Sequence, residues 1–225
     1  LRSFWVSVKK VVIGSTLQML MTILMAYPLS KSRRIFPARG HYMRVIIVCM
    51  LFSGGTIPWY LVIKMLGLID SFWALVLPGC VNISNTIIMM NFFKGLPPSM
   101  AESAAIDGAT PLTTLFRIYV PLSTPSIATL SLFTIVGHWN GYFDGMILIN
   151  DPKKMPLQTY IQSLVADISN KINSMTPEEI LQYSQISNMT FNAAKIVVAM
   201  VPVMVIYPVL QKYFVKGLVM GAVKE

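Results

Sequence analysis

Glu102, Asp107 and Arg117 are the charged side chains of a polar stretch, residues 97–121, in a chain that is otherwise mostly apolar. A carboxylate on a short helix can cap that helix, or it can accept charge-assisted hydrogen bonds from another protein. The stretch has its own local grammar. Pro97 and Pro98 stop the preceding apolar block. Ser99 and Glu102 have capping-box spacing, so a helix is expected to run to about Asp107. Gly108 is the residue type that ends a helix in the left-handed conformation. Thr110 and Pro111 then mark a second start, and that helix is expected to reach about Tyr119 and to be closed by Pro121. The prediction is two short helices around a glycine elbow.

A second group, "GHWNGYFDG", places His138, Trp139, Asn140, Tyr142 and Asp144 near the end of an apolar block. Gly137, Gly141 and Gly145 recur every four residues, the spacing of one helix face along which helices approach closely. Aromatic faces beside amides suit sugars, whose ring faces stack while their hydroxyls hydrogen-bond. The same residues also suit helix packing or an interfacial aromatic belt, and both readings stay open. His138 reads as a satisfied polar residue rather than a proton relay. Asn82, Ser84 and Asn85 interrupt another apolar block, beside Pro78 and Gly79, and they either line the same path or bond to neighbouring helices. Cys49 and Cys80 lie inside apolar blocks and read as packing residues. The sequence has no phosphate-binding G-x-x-x-x-G-K-[ST] loop, no G-x-S-x-G elbow, no H-E-x-x-H and no metal-ligand spacing.

The elements that position these groups follow from composition. Hydrophobic residues make up 55% of the 225 and charged ones 12%, against about 25% charged in soluble domains. The apolar residues come in blocks near the roughly 20 residues that span a bilayer as helix. The fold class expected is all-α, a polytopic helical membrane protein with five visible spans at about 11–29, 45–66, 72–93, 126–149 and 193–210. Residues 97–121 make a poor sixth span, because each charge at the bilayer centre costs roughly 2.5 to 3.5 kcal/mol. The net charge of +9 sits beside spans rather than in basic runs interleaved with aromatics, so no nucleic-acid partner is expected. With five spans, ten Lys and Arg fall on one side and eight on the other, and the dense cluster at Lys31, Arg33, Arg34, Arg39 and Arg44 marks the cytoplasmic face. The polar insert and the C-terminal tail share that side.

At the insert the chain resembles a known family. "ESAAIDGA…F…IYVP" is similar to the cytoplasmic EAA loop of permease subunits of ATP-binding-cassette importers, matching at Glu102, Ala104, Asp107, Gly108, Ala109, Phe116, Ile118 and Pro121. Ser103 stands where Ala is commoner. "AYPLSKSR" and "FVKGLVMGAVKE" resemble the carbohydrate-importer branch, and "GHWNGYFDG" and "NDPKKMPLQTY" its polysaccharide members. The resemblance implies a bacterial inner-membrane subunit with six spans in the family, the first of which this chain lacks. It implies that Glu102, Ser103, Ala104, Ala105, Asp107, Gly108 and Phe116 meet an ATP-hydrolysing subunit, with Ala104, Ala105, Ile106 and Leu115 filling its socket. It also implies a second permease subunit, two ATP-binding subunits, an extracytoplasmic solute-binding protein and a sugar cargo. On this reading the chain is not an enzyme and holds no cofactor, ATP and Mg²⁺ belonging to the partners.

The chain reads as a single permease domain, 1–225, with an external loop at 150–190. There Leu157, Tyr160, Ile161, Leu164, Val165 and Ile168 recur at helical spacing, and Thr176–Glu179 reads as another helix start. That amphipathic stripe suits either the bilayer surface or a cargo-delivering protein. Lys64 and Asp70 are assigned no function. Peptides or other small solutes are the alternative cargo, and an ion-coupled carrier is the alternative class. The latter wants intramembrane ionisable residues and inverted repeats, and neither is visible.

Overall fold

Polar side chains sit inside this molecule beside apolar ones, and many large apolar side chains stand outside. Ser7, Lys10, Gln18, Thr22, Asn85 and Thr134 are buried, while Phe4, Trp5, Val12, Leu51, Phe52 and Met65 stand exposed. In lipid, apolar surface has no drive to hide, whereas polar groups do. The computed structural model describes residues 2–172 and five single positions between 193 and 208. All regular structure among the described residues is helical. The expected span at 193–210, the helix start at 176–179 and the C-terminal tail lie outside the continuously described residues.

Helix α1, Arg2–Ser30, is continuous, and among the described residues it alone is long and apolar enough to cross a bilayer unaided. At 1.5 Å per residue its 29 residues reach about 43 Å. It begins at Arg2 rather than near residue 11, because Ser7 and Lys10 find partners inside the fold: Ser7 Oγ accepts from the Leu157 N–H and Lys10 Nζ donates to the Gly141 carbonyl. Pro28 lies in its last turn. Ser30 Oγ donates to the Tyr27 carbonyl at 2.7 Å and Arg39 Nε to the Leu29 carbonyl at 2.8 Å, satisfying acceptors that the helix end leaves open.

The next expected spans are bent. Helices α2, Arg39–Leu51, and α3, Thr56–Met65, meet at 118° across residues 52–55, where Gly55 has φ +79°. Two 3-10 turns, Phe72–Leu75 and Leu77–Gly79, lead at 44° into α4, Ile83–Lys94. Pro78 and the N-cap at Asn82, whose Oδ1 accepts the Asn85 N–H at 3.0 Å, explain that bend.

The polar insert follows as α5, Pro98–Ile106, and α6, Pro111–Thr114. A π-helical turn, Leu115–Tyr119, continues α6 into α7, Val120–Leu122. The capping box does not form: α5 starts at Pro98, its N-cap position is Pro97, and no side chain caps it. Proline at the first helical position places Ser99 two residues past the N-cap, too late to cap. Thr110 does cap α6, accepting the Thr113 N–H at 3.2 Å. Pro121 does not close the second helix but lies within α7. Its missing N–H and ring disfavour α spacing to Arg117, and the turn just before it widens, the Val120 N–H reaching back to the Leu115 carbonyl.

The fourth expected span is split into α8, Thr124–Asn140, and α9, Phe143–Leu148. Gly141 is extended, so Gly137, Gly141 and Gly145 do not share one continuous helix face. Gly137 has open space beside it, whereas a side chain at Gly145 would collide with Thr159 of α10, Leu157–Ile172. The apolar core joins Met19, Ile23 and Ala26 of α1 to Met89 and Phe93 of α4, Leu115 and Tyr119 of the insert, and Leu130 of α8.

Candidate functional site

The insert projects as an arm, its second half turning 83° from the axis of α8. The elbow between its helices is a Schellman turn: the Ala109 N–H donates to the Ala104 carbonyl at 2.9 Å and the Gly108 N–H to the Ala105 carbonyl at 3.1 Å. Gly108 has φ +73° with nothing within 4 Å of where a Cβ would stand, so the demand for glycine is conformational rather than steric.

Glu102, Ser103, Ala105, Asp107, Gly108 and Phe116 are exposed, while Ala104 is buried. Leu115 is 1% exposed and belongs to the core, so it and Ala104 hold the arm to its own chain rather than filling a partner's socket. The apolar groups on the outside are instead Ile106, 87% exposed, Leu112, Phe116 and Met100. Helical periodicity on so short a helix could not decide which apolar residues faced inward. Beside the arm, Ser30, Lys31, Phe93, Lys94 and Glu102 line a cleft of about 400 Å³.

The candidate path residues do not converge. Asn82 caps α4, and Asn85 Nδ2 donates to Thr134 Oγ1 at 3.2 Å, tying α4 to α8. His138 Nε2 and Gln18 Oε1 lie 2.9 Å apart, tying α8 to α1 where Gly14 lets the ring approach. Trp139 is buried edge-on against Phe4. Asn140 is exposed, and the Tyr142 carbonyl accepts from Thr159 Oγ1. Asp144 alone of the seven lines an open cavity of about 690 Å³, with Trp59, Phe143 and the unwound residues 53–55. Two groups were missed in the sequence. Lys10, 2% exposed, donates to the Gly141 carbonyl at 2.9 Å and pins the break in the fourth span. Gln18 pairs with His138. The polar residues of α1 at 7, 10, 18 and 22 lie at helical spacing, a signal that was present in the sequence.

The two ends of α1 sort the rest of the chain. At its C-terminal end lie the basic loop and the arm, where Lys31 bonds Tyr119. At its N-terminal end lies Ser7, bonded to the first residue of α10.

A helical membrane protein with an exposed two-helix elbow between spans, at the end that carries the basic loop, has the architecture of an importer permease. Residues 18–220 match the family described as "Binding-protein-dependent transport system inner membrane component", and the chain belongs to it. It is therefore a multi-pass inner-membrane component of a bacterial ABC transport system. It is similar to the polygalacturonan/rhamnogalacturonan transport system permease protein YtcP of Bacillus subtilis, 44% identical over 99% of this chain and 77% of that protein. Protein LplC of Bacillus subtilis is 42% identical over 100% of this chain and 74% of its own length. The sn-glycerol-3-phosphate transport system permease protein UgpE of Pectobacterium atrosepticum is 28% identical over 88% and 65%. Among solved structures, a bacterial ABC transporter involved in the import of the acidic polysaccharide alginate superposes with a TM-score of 0.74. It is 32% identical, covering 94% of this chain and 75% of that one.

Proposed function

We propose that the chain forms half of the translocation path for an acidic oligo- or polysaccharide and transmits to it the work of ATP hydrolysis by partner subunits. The observation that carries the coupling half is the arm: an exposed carboxylate and exposed apolar side chains on a two-helix elbow set by Gly108. Glu102 would accept charge-assisted hydrogen bonds from a basic residue of an ATP-binding subunit. Ile106, Leu112 and Phe116 would fill its cleft. When two such subunits close on ATP, the arm would move with them and carry α4 and α8, to which it is covalently joined. The cargo class is supported by the names of the polygalacturonan and alginate systems.

The remaining roles belong to the same proposal. The chain itself holds no cofactor and performs no catalysis, ATP and Mg²⁺ being bound by two ATP-binding subunits. A second permease subunit completes the path, and an extracytoplasmic solute-binding protein delivers the cargo. Asp144, Trp59 and Phe143 around the cavity of about 690 Å³ are the residues best placed to touch a sugar.

The test is uptake and ATP hydrolysis by the full complex in vesicles, with oligogalacturonate, alginate oligosaccharides, neutral oligosaccharides, peptides and sn-glycerol-3-phosphate as cargo. Acidic oligosaccharides should be taken up. Gly108→Val forces a β-branched residue into the left-handed region, and Glu102→Lys reverses the charge. Each should lower uptake per ATP about tenfold or more while the protein still inserts, on the scale of one lost charge-assisted contact. Normal uptake by both would end the coupling reading, and uptake of peptides alone would end the sugar reading.

A further inference from the structure

The arm is joined by the chain to α4 and α8 but not to α1, which packs along both of them. Besides the apolar core that both share, a polar contact ties it to the end of α1. Lys31, just past the last turn of α1, donates from Nζ to Tyr119 Oη at 2.7 Å. The same ammonium lies 4.0 Å from the centroid of the Tyr119 ring and 4.4 Å from that of Tyr27. Those two rings and Phe93 form an edge-to-face triangle, with centroids 5.1 Å apart for Tyr27–Tyr119, 5.5 Å for Phe93–Tyr119 and 6.4 Å for Tyr27–Phe93. Each ring comes from a different element: Tyr27 from α1, Phe93 from α4 and Tyr119 from the arm.

Packing alone does not account for this arrangement. Tyr119 is 5% exposed and Phe93 2%, and three apolar rings would bury as well without a charge beside them. A lysine at the end of a span ordinarily extends its ammonium into water. Here it turns back over two ring faces, where the aromatic quadrupole attracts a cation. The position of Tyr119 depends on the π-helical turn that ends with it, and π turns inside α-helices are frequent at functional sites. Lys31 also lines the cleft of about 400 Å³ whose other wall carries Glu102, so this contact lies beside the surface offered to the ATP-binding subunit.

We infer that Lys31, Tyr27 and Tyr119 form a latch between α1 and the arm, and that they are positioning residues for transport: through them a displacement of the arm carries α1 as well as α4 and α8. Without the latch the arm still moves, but α1 lags and hydrolysis is spent without passage of cargo. The inference rests on the coupling role proposed above for the arm.

The test uses the complete complex in vesicles and reads uptake, ATP hydrolysis and the amount of assembled complex together. Lys31→Met keeps the aliphatic stem and removes the charge. Tyr119→Phe keeps every ring contact and removes the hydroxyl. Each should lower uptake per ATP about fivefold, the scale of one cation–aromatic contact for the first and of one hydrogen bond from a charged donor for the second. ATP hydrolysis and assembly should stay within about twofold of wild type, and the double variant should be no worse than the more affected single, as expected for partners in one contact. Lys31→Arg keeps a cation that stacks on rings and should recover most of the coupling. If Lys31→Met fails to assemble, Tyr119→Phe decides. Uptake per ATP at the wild-type value in both singles overturns the latch, as does a fall in uptake that only follows loss of complex. Gly108→Val in the same assay separates the two ideas. If it uncouples and the latch variants do not, only the latch falls; if it too is fully coupled, the role of the arm falls first.

Discussion

Asp70 holds a left-handed backbone conformation, φ +60°, which a short polar residue tolerates better than others. Its N–H donates to the Leu148 carbonyl at 2.8 Å, and its Oδ1 accepts the N–H groups of Asn150 and Asp151 at 3.2 Å. Lys154 Nζ lies 3.0 Å from its Oδ2. This staple joins the turn after α3 to the segment after α9. The Asp151 N–H, then the Lys154 ammonium, hold the carboxyl below its ordinary range. A carboxyl depressed in the folded state contributes stability that is complete above its unfolded value, about 4, and is lost as pH falls through the lower folded value. Spin-label distances between positions 67 and 153 should therefore be constant from neutral pH to about 5 and should lengthen only below about 4. Asp70→Asn should show the longer distance at all pH values. A transition near neutral pH would contradict the assignment. Sequence reading gave Asp70 no role, because its partners lie some eighty residues away and no local pattern announces them.

At the scale of elements, the α1–α8 contact is set by one small residue. A Cβ at Gly14 would come within 2.8 Å of the His138 ring, whereas one at Gly137 would meet nothing within 4 Å. Gly14→Val should cost about 1–3 kcal/mol by overpacking and displace the His138–Gln18 pair, while Gly137→Ala should be neutral or slightly stabilising. Thermal unfolding of the two purified complexes measures the contrast, and equal melting temperatures would refute it. The elements themselves were partly legible. Gly108 as a left-handed helix end, Thr110 as a cap and Pro111 as a helix start could all be read, since each acts within one turn. The amphipathic helix beginning at Leu157 was legible from its period. The bends at residues 52–55 and 141–142 were not. A run of apolar residues reports length and solvent, and it stays silent about direction within lipid. Ser99 failed as a cap because Pro98 claimed the first helical position, and Pro121 failed as a stop because a π turn absorbed it.

At the scale of the molecule, the burial of polar groups beside an apolar core, with many large apolar side chains exposed, matches the membrane class that composition predicted. α1 is its axis, with the basic loop and the arm at one end and the segment after α9 at the other. Family membership was legible because the Glu-to-Gly spacing of the elbow is a local pattern. His138 is the satisfied polar residue that the sequence suggested, and Asn85, left open between a path and a neighbouring helix, bonds α8; only long-range packing decides whether a polar residue lines a cavity or bonds a neighbour.

The central claim is that the outer face of the arm is seated in an ATP-binding subunit. A photo-reactive amino acid at Ile106, 87% exposed in the isolated chain, tests it most directly in the assembled complex. Illumination should join this chain to the ATP-binding subunit, and the same group at Leu115 should give no such product. An Ile106 probe that reacts only with lipid or water, or with a protein on the extracytoplasmic side, would contradict the account.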